Sequence, residues 1–386
     1  MIGAPMSARI SAPFTAHRAD LAALAAENRR RALIPRAGID FASNDYLGLA
    51  GSDALRTALA AGITRSLPAG SGGSRLLRGN HAEHEALETH AARHYASESA
   101  LFFPTGFAAN AALFATLPQR PDLIVHDELI HASAHDGMKL GRAARIAAAH
   151  NDPQSFDDAI AAWRKGGGTG TPWIAVESLY SMDGDTAPLA DLAAIADRHD
   201  AVLVVDEAHA TDVFGPAGAG LAHGLPRRDN LITLHTCGKA LGCEGALLCG
   251  PAIVRDFLIN RARPFIFSTA PSPLIAFLVR QALEIVATEP ERQARLHGLV
   301  RHAETRLAPL GITPSGTQIL PVVIGDNART MRIAGALQAA GFDIRGIRPP
   351  TVPQGTARLR IAVTLNVDED NIDAMADTLA DAMAAA

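Results

Sequence analysis

What most constrains this chain is an alternation of short apolar runs with helical stretches, sustained from residue 81 to residue 250. Residues 81–96 read as helix, 101–103 as a strand ending at Pro104-Thr-Gly106, 107–117 as helix, 123–125 as strand and 131–140 as helix. Helix 155–164, strand 173–176, helix 189–199 and the β-branched run Ala201-Val-Leu-Val-Val205 follow, and 231–234 and 245–248 continue the strand series. Short apolar strands separated by helices predict an α/β fold with a mostly parallel sheet covered on both faces.

The flanks read differently. Residues 14–33 are expected to form an N-terminal helix, with Leu21, Leu24 and Ala25 on one side and Arg29, Arg30 and Arg31 near its end, where cations suit the helix dipole. Residues 39–49 read as a short strand and turn, and the glycine-rich stretch 70–75 as a loop. After about residue 270 come long helices over 272–310, then strands at 319–324, 342–344 and 359–363 with helices at 328–340 and 369–385. This is the texture of a smaller α+β C-terminal domain. The expected division is an N-terminal helix and arm (1–42), a large domain (43–275) and a small domain (276–386). The run Gly166-Gly-Gly-Thr-Gly170 reads as a surface loop.

Composition narrows the function classes. With 386 residues, 48% hydrophobic and 19% charged, the chain can bury a large core. A net charge of −5 and only 5% aromatics argue against nucleic acid as partner. Three cysteines do not make a disulfide scaffold and suit a reducing, cytoplasmic setting. Residues 1–20, with Arg9, Arg18 and Asp20, do not read as a targeting signal, and no uncharged apolar stretch is long enough for a membrane span.

Three local signals carry chemistry. In Val204-Val-Asp206-Glu-Ala-His209 a β-branched strand ends in an acid, with a histidine three residues on. Ligands of open α/β sheets sit beyond the carboxyl ends of strands. A helix-capping Asp206 with a solvated His209 fits the same letters. In Thr233-Leu-His-Thr-Cys-Gly-Lys239 a strand runs into a turn whose lysine has small, apolar neighbours. Desolvation there lowers an amine's pKa and makes it a better nucleophile, whereas a snorkelling lysine is the plainer alternative. Thr105-Gly106-Phe107 opens a helix, whose free N–H groups suit a phosphate; a turn that merely starts the helix is the other reading. Together, a strand-end carboxylate, a turn lysine and a helix N-terminus suit pyridoxal phosphate (PLP). That cofactor needs a Schiff-base lysine, an acid facing its ring nitrogen and a phosphate cup.

Other motifs say less. The loop at 70–75 lacks the Gly-Lys-Ser/Thr of a nucleotide-binding loop and the spacing of a dinucleotide fingerprint. His90 and His94 have i,i+4 spacing, with His81 and His84 nearby, but without a His-Glu-x-x-His pattern they read as solvated helix histidines, and no metal site is expected. Cys237, Cys243 and Cys249 read as structural thiols.

These residues carry a resemblance. The stretches Ser43-Asn-Asp-Tyr-Leu-Gly-Leu49, Gly70-Ser-Gly-Gly-Ser-Arg75, Thr105-Gly-Phe-Ala-Ala-Asn110, His131-Ala-Ser133, Ser181-Met-Asp-Gly-Asp185, Asp206-Glu-Ala-His209, Gly238-Lys239, Ile347-Arg-Pro-Pro-Thr-Val-Pro353 and Arg358-Leu-Arg360 occur in one order over nearly the whole chain. In them the sequence resembles the α-oxoamine synthases, PLP-dependent transferases of the type I, aspartate-aminotransferase-like fold. The resemblance implies a mostly parallel seven-stranded sheet in a PLP-binding large domain. It implies that Lys239 carries the cofactor as a Schiff base, Asp206 faces the ring nitrogen, His209 the ring's phenolic oxygen, and His131 the ring face. Gly106, Phe107, Ser181 and Thr236 would contact the cofactor's phosphate. Ser268 and Thr269 would reach it from the second subunit of a homodimer whose site lies at the interface. Asn44 and Arg360 would hold the amino acid's carboxylate, and Arg29 and Thr351 the acyl substrate, with Arg30 or Arg31 as alternatives to Arg29.

The implied reaction joins L-alanine to a pimeloyl thioester, carried by coenzyme A or an acyl-carrier protein, with loss of CO2 and thiol. Lys239 would take the α-proton and His131 would bond the thioester oxygen. Other members pair glycine with acetyl- or succinyl-CoA, or serine with palmitoyl-CoA; the stretch 347–353 points to the pimeloyl members. The sequence departs from the family at Cys237, where relatives often carry Phe, and at Cys243-Glu244, where they carry small or apolar residues.

Overall fold

A computed structural model describes residues 13–386; Arg9 and the rest of the segment before Pro13, on which part of the targeting expectation falls, lie outside the described residues. In chain order the strands are β1 (Ile39–Asp40), β2 (Ser99–Phe103), β3 (Leu123–Asp127), β4 (Ala144–Ala148), β5 (Pro172–Glu177), β6 (Val202–Asp206), β7 (Leu231–Thr236), β8 (Ala246–Gly250), β9 (Ile319–Gly325), β10 (Phe342–Asp343), β11 (Arg345–Ile347) and β12 (Ala357–Ala362). A seven-stranded sheet has the order β2-β8-β7-β6-β5-β3-β4, parallel except for β8, which runs against both its neighbours. A three-stranded antiparallel sheet, β11-β12-β9, forms a second unit, and β1 pairs in parallel with β10.

The large sheet is covered on both faces because its strands are apolar on both. Leu203 and Val205 pack with Phe156, Ile160, Leu192 and Ile195 from helices Pro153–Lys165 and Leu189–Arg198. Val204, Ile232 and Leu234 pack on the opposite face with Ala109, Leu113 and Met138 from helices Gly106–Thr116 and Ala132–Leu140. Successive side chains along a strand alternate in this way, so the parity of a position names its face.

Four sequence expectations are corrected. The N-terminal helix is Thr15–Ala26, with no buried residue, and Asn28 in the left-handed region ends it before the three arginines. Strand β4 was unexpected: it is alanine-rich and mostly exposed, and forms because β3 offers it an edge. Helices Asp53–Thr64 and Ala252–Arg261 are additional to the sequence expectation, because their alanine-rich or weakly amphipathic sequences blur the periodic signal. The single strand expected at 342–344 is two, one pairing with β1 and one with β12. Among the described residues, no helix is long and apolar enough to cross a membrane.

Candidate active site

Strands β5 and β6 end side by side, with Glu177 opposite Asp206. By parity both side chains leave the sheet toward helices Gly106–Thr116 and Ala132–Leu140. Asp206 is fixed there: one carboxylate oxygen accepts the Ala208 N–H (3.0 Å) and the other accepts Asn110 Nδ2 (2.9 Å). Asn110 Nδ2 also donates to Ser133 Oγ at 2.9 Å, and that hydroxyl lies 2.8 Å from His131 Nδ1. The Ser133 N–H also donates to Nδ1, so the His131 proton sits on Nε2, a donor with no hydrogen-bond partner among the described residues. Desolvation lowers the His131 pKa; Asp206 opposes the fall and Lys239 adds to it.

The chain has three lysines. Lys139 pairs with Asp136 at the surface and Lys165 is exposed, whereas Lys239 is withdrawn in a tight turn. The turn is closed by Cys237 N–H to Gly245 O, Cys243 N–H to Cys237 O and Gly242 N–H to Lys239 O, all at 2.8–2.9 Å. Gly242 has φ +64°, and a Cβ there would come within 2.3 Å of the Ala50 nitrogen, so only glycine lets this turn press on the Leu49–Ala50 backbone. Desolvation brings Lys239 down to about 8, opposed by Asp206 and Glu177 and aided by Arg360. Its Nζ lies 2.8 Å from His209 Nε2. Burial, with the charges of Lys239, Arg360 and His131, holds His209 well below the ordinary imidazole range, so it is a neutral acceptor.

A second group faces the first. His209 Nδ1 lies 2.6 Å from the Tyr46 hydroxyl, which also bonds Asn44 Oδ1 at 3.0 Å. Arg360 Nη2 donates to both the Tyr46 hydroxyl (3.1 Å) and Asn44 Oδ1 (3.0 Å), and its Nε donates to Ser181 O (2.6 Å). Arg360 is buried and has no carboxylate partner among the described residues, which leaves a guanidinium poised for an incoming anion. The loop with Ser181 is tied down by Arg358, bonded to Asp183, and by His150, which bridges Asp127 (2.9 Å) and Asp185 (2.7 Å). Those two carboxylates outweigh desolvation and lift His150 to about 10, so it is a cation at neutral pH.

The helix N-terminus forms a cradle. Thr105 caps it by accepting the Ala108 N–H, and Ala109 N–H bonds Thr105 O, so the Gly106 and Phe107 N–H groups have no protein partner among the described residues. Thr236 Oγ1 and Leu234 Cδ2 are the nearest atoms to a Cβ built on Gly106, both at 3.9 Å, which leaves room at the cradle's floor. Ser268 and Thr269 follow the short helix Arg263–Ile266 that packs on helix Gly106–Thr116, beside the Gly70–Arg75 loop, where Ala270 N–H bonds Gly73 O. They make no hydrogen bond to the Lys239 group among the described residues. A small cavity of about 140 Å³ gathers Arg29, Arg31, Arg348 and Thr351. In it Arg31, not Arg29, bonds Thr351 Oγ1 (2.8 Å), while Arg29 bonds Pro349 O (3.0 Å) and Glu27.

The donor set fits PLP: a weakly basic amine for its aldehyde, a fixed carboxylate for its ring nitrogen, and free N–H groups with a hydroxyl for its phosphate. Sequence reasoning gave no role to Asn110, Ser133 and Tyr46, though all three lie in the motifs quoted above. It missed Glu177 by ending its strand at Val176, and His150 because nothing local marks it.

The model of the aminotransferase class I and II family matches residues 36–379. The 8-amino-7-oxononanoate synthase of Anaeromyxobacter dehalogenans is 41% identical over 378 residues, 94% of each chain, and that of Chromobacterium violaceum 41% identical over 89% of each. Among solved structures, a Sphingomonas wittichii serine palmitoyltransferase superposes with a TM-score of 0.89 at 24% identity, covering 98% of this chain and 99% of that one. An 8-amino-7-oxononanoate synthase from Francisella tularensis superposes with a TM-score of 0.75 at 26% identity, covering 89% and 97%.

Proposed function

The chain belongs to the aminotransferase class I and II family and to its 8-amino-7-oxononanoate synthases, and from that premise we propose that it condenses L-alanine with a pimeloyl thioester. The products are 8-amino-7-oxononanoate, CO2 and the free thiol, a step of biotin biosynthesis. PLP is the cofactor. The observation that carries this reading is Lys239: the one withdrawn lysine, lowered to about 8, beside a strand-end Asp206 with a donor on each oxygen.

When bound, PLP supplies a sink for the electron pair left at the amino acid's α-carbon. Lys239 anchors it, Asp206 keeps its ring nitrogen protonated, and Gly106, Phe107 and Thr236, with Ser181, hold its polar groups. Arg360 and Asn44 receive the alanine carboxylate; the buried guanidinium gains the anion it lacks, which orients the α-hydrogen. The Lys239 amine, neutral for part of the time near pH 8, takes the α-proton at Nζ. His131 donates its Nε2 proton toward the thioester carbonyl as negative charge develops on oxygen. Arg31 and Thr351, with Arg29 beside them, receive the far end of the acyl chain.

The working unit is a homodimer with the site at the interface. Leu76, Leu77, Phe107 and Phe267 are exposed around the cradle and the Ser268–Thr269 segment, an apolar surface suited to a second copy that brings those hydroxyls to the phosphate. Alanine, glycine and serine assayed against pimeloyl, acetyl, succinyl and palmitoyl thioesters test the substrate assignment. Thiol and CO2 release highest for alanine with the pimeloyl thioester is expected; preference for glycine with acetyl-CoA would mark a glycine C-acetyltransferase instead.

A further inference from the structure

The two strand-end carboxyls at the site are not equivalent. Asp206 has an N–H donor on each oxygen. Glu177, its partner in register and on the same face, is 2% exposed, and its Oε1 has no hydrogen-bond partner among the described residues. Two carboxylates held side by side do not both ionise freely; the one with a donor on each oxygen is the better holder of the charge, and the one with an oxygen left bare is the better holder of a proton. Burial and Asp206 push Glu177 up, Asp127 adds to the rise, and Lys239 and the Ser181 N–H pull it down. Lys239 in turn feels Asp206, Glu177 and Arg360, with His131 and His209 facing the same space.

We propose that Glu177 and Lys239 hold one proton between them beside the fixed charge of Asp206. With its proton, the pair is either a cationic nitrogen facing an ionised Glu177 or a neutral nitrogen facing a protonated Oε1, and is uncharged either way; raising the pH removes that one proton to solvent and leaves a neutral nitrogen beside an ionised Glu177. Glu177 is thus a positioning residue: it acts through the basicity of Lys239, which has to alternate between charge states during turnover. The inference rests on Lys239 being the cofactor-bearing lysine.

The test uses the holoenzyme without substrates, following the visible absorbance of the lysine-bound cofactor against pH in wild type and Glu177→Gln. The variant's midpoint is expected about one pH unit lower, a tenfold loss of proton affinity at the lysine nitrogen, because a neutral amide cannot offset the cation. The kcat–pH profile should move with it while KM for alanine stays within about twofold. Glu177→Asp, which keeps a carboxyl, should show a smaller drop in the same direction. A midpoint within about 0.2 unit of wild type, in whichever variant folds and binds cofactor, overturns the proposal. A wild-type protein lacking the absorbance band overturns the Lys239 assignment itself, and this inference with it.

Discussion

Lys239 Nζ lies 2.8 Å from His209 Nε2, whose other nitrogen is 2.6 Å from the Tyr46 hydroxyl. Burial brings the amine down to about 8, and the neutral His209 beside it offers a hydrogen-bond acceptor without a counter-charge. In the cofactor-free protein, modification of Lys239 by an amine-specific acylating reagent, followed by peptide mass spectrometry, should rise with pH around a midpoint of about 8. A midpoint near 10.4, the ordinary lysine value, would contradict this.

The Tyr46 hydroxyl joins the lysine–histidine pair to Arg360, the arginine proposed to receive the amino acid's carboxylate. Tyr46→Phe leaves His209 Nδ1 and one Arg360 N–H without their partner. Losing a buried partner costs about 1–3 kcal/mol, so kcat/KM should fall about tenfold, mainly through a higher KM for the amino acid as Arg360 loosens. Kinetics with alanine varied at saturating thioester check this; values within about twofold of wild type would sever the proposed link.

Asp212 is a buried acid with neither oxygen hydrogen-bonded among the described residues, at φ +65°. Desolvation raises its pKa well above the carboxylate range. For an acid raised on folding, the native state binds more protons than the unfolded one, so stability falls as pH climbs above the unfolded value of about 3.9. Asp212→Asn keeps a residue tolerant of this backbone and has no charge to bury. It should be more stable than wild type by about 1–3 kcal/mol at pH 8, with little advantage at pH 4. Thermal melts at the two pH values decide it; an advantage independent of pH would locate the effect in the backbone.

The parallel core was legible because its signal is local: Ala201–Val205 reads as a strand from its β-branched run alone, the observed strand is Val202–Asp206, and Asp206 at its end marks the edge of the candidate site. Strand β4 was not legible, since Ala144–Ala148 has little β propensity and owes its conformation to the edge of β3. At the site, Lys239, Asp206 and His209 stood out through position and neighbours. Asn110, Ser133 and Tyr46 did not acquire roles until chain distant in sequence was folded together; Asn110 meets Asp206 across 96 residues and Tyr46 meets His209 across 163. The Arg29–Arg31 cluster shows the same limit, since only the folded arm places Arg31 against Thr351.

The central claim, that Lys239 bears the cofactor, is tested most directly by borohydride reduction of the PLP-loaded protein followed by peptide mapping. A pyridoxyl group on Lys239, absent from the Lys239→Ala protein, is the expected result. A protein that traps no cofactor, or that carries it on Lys139 or Lys165 instead, would contradict it.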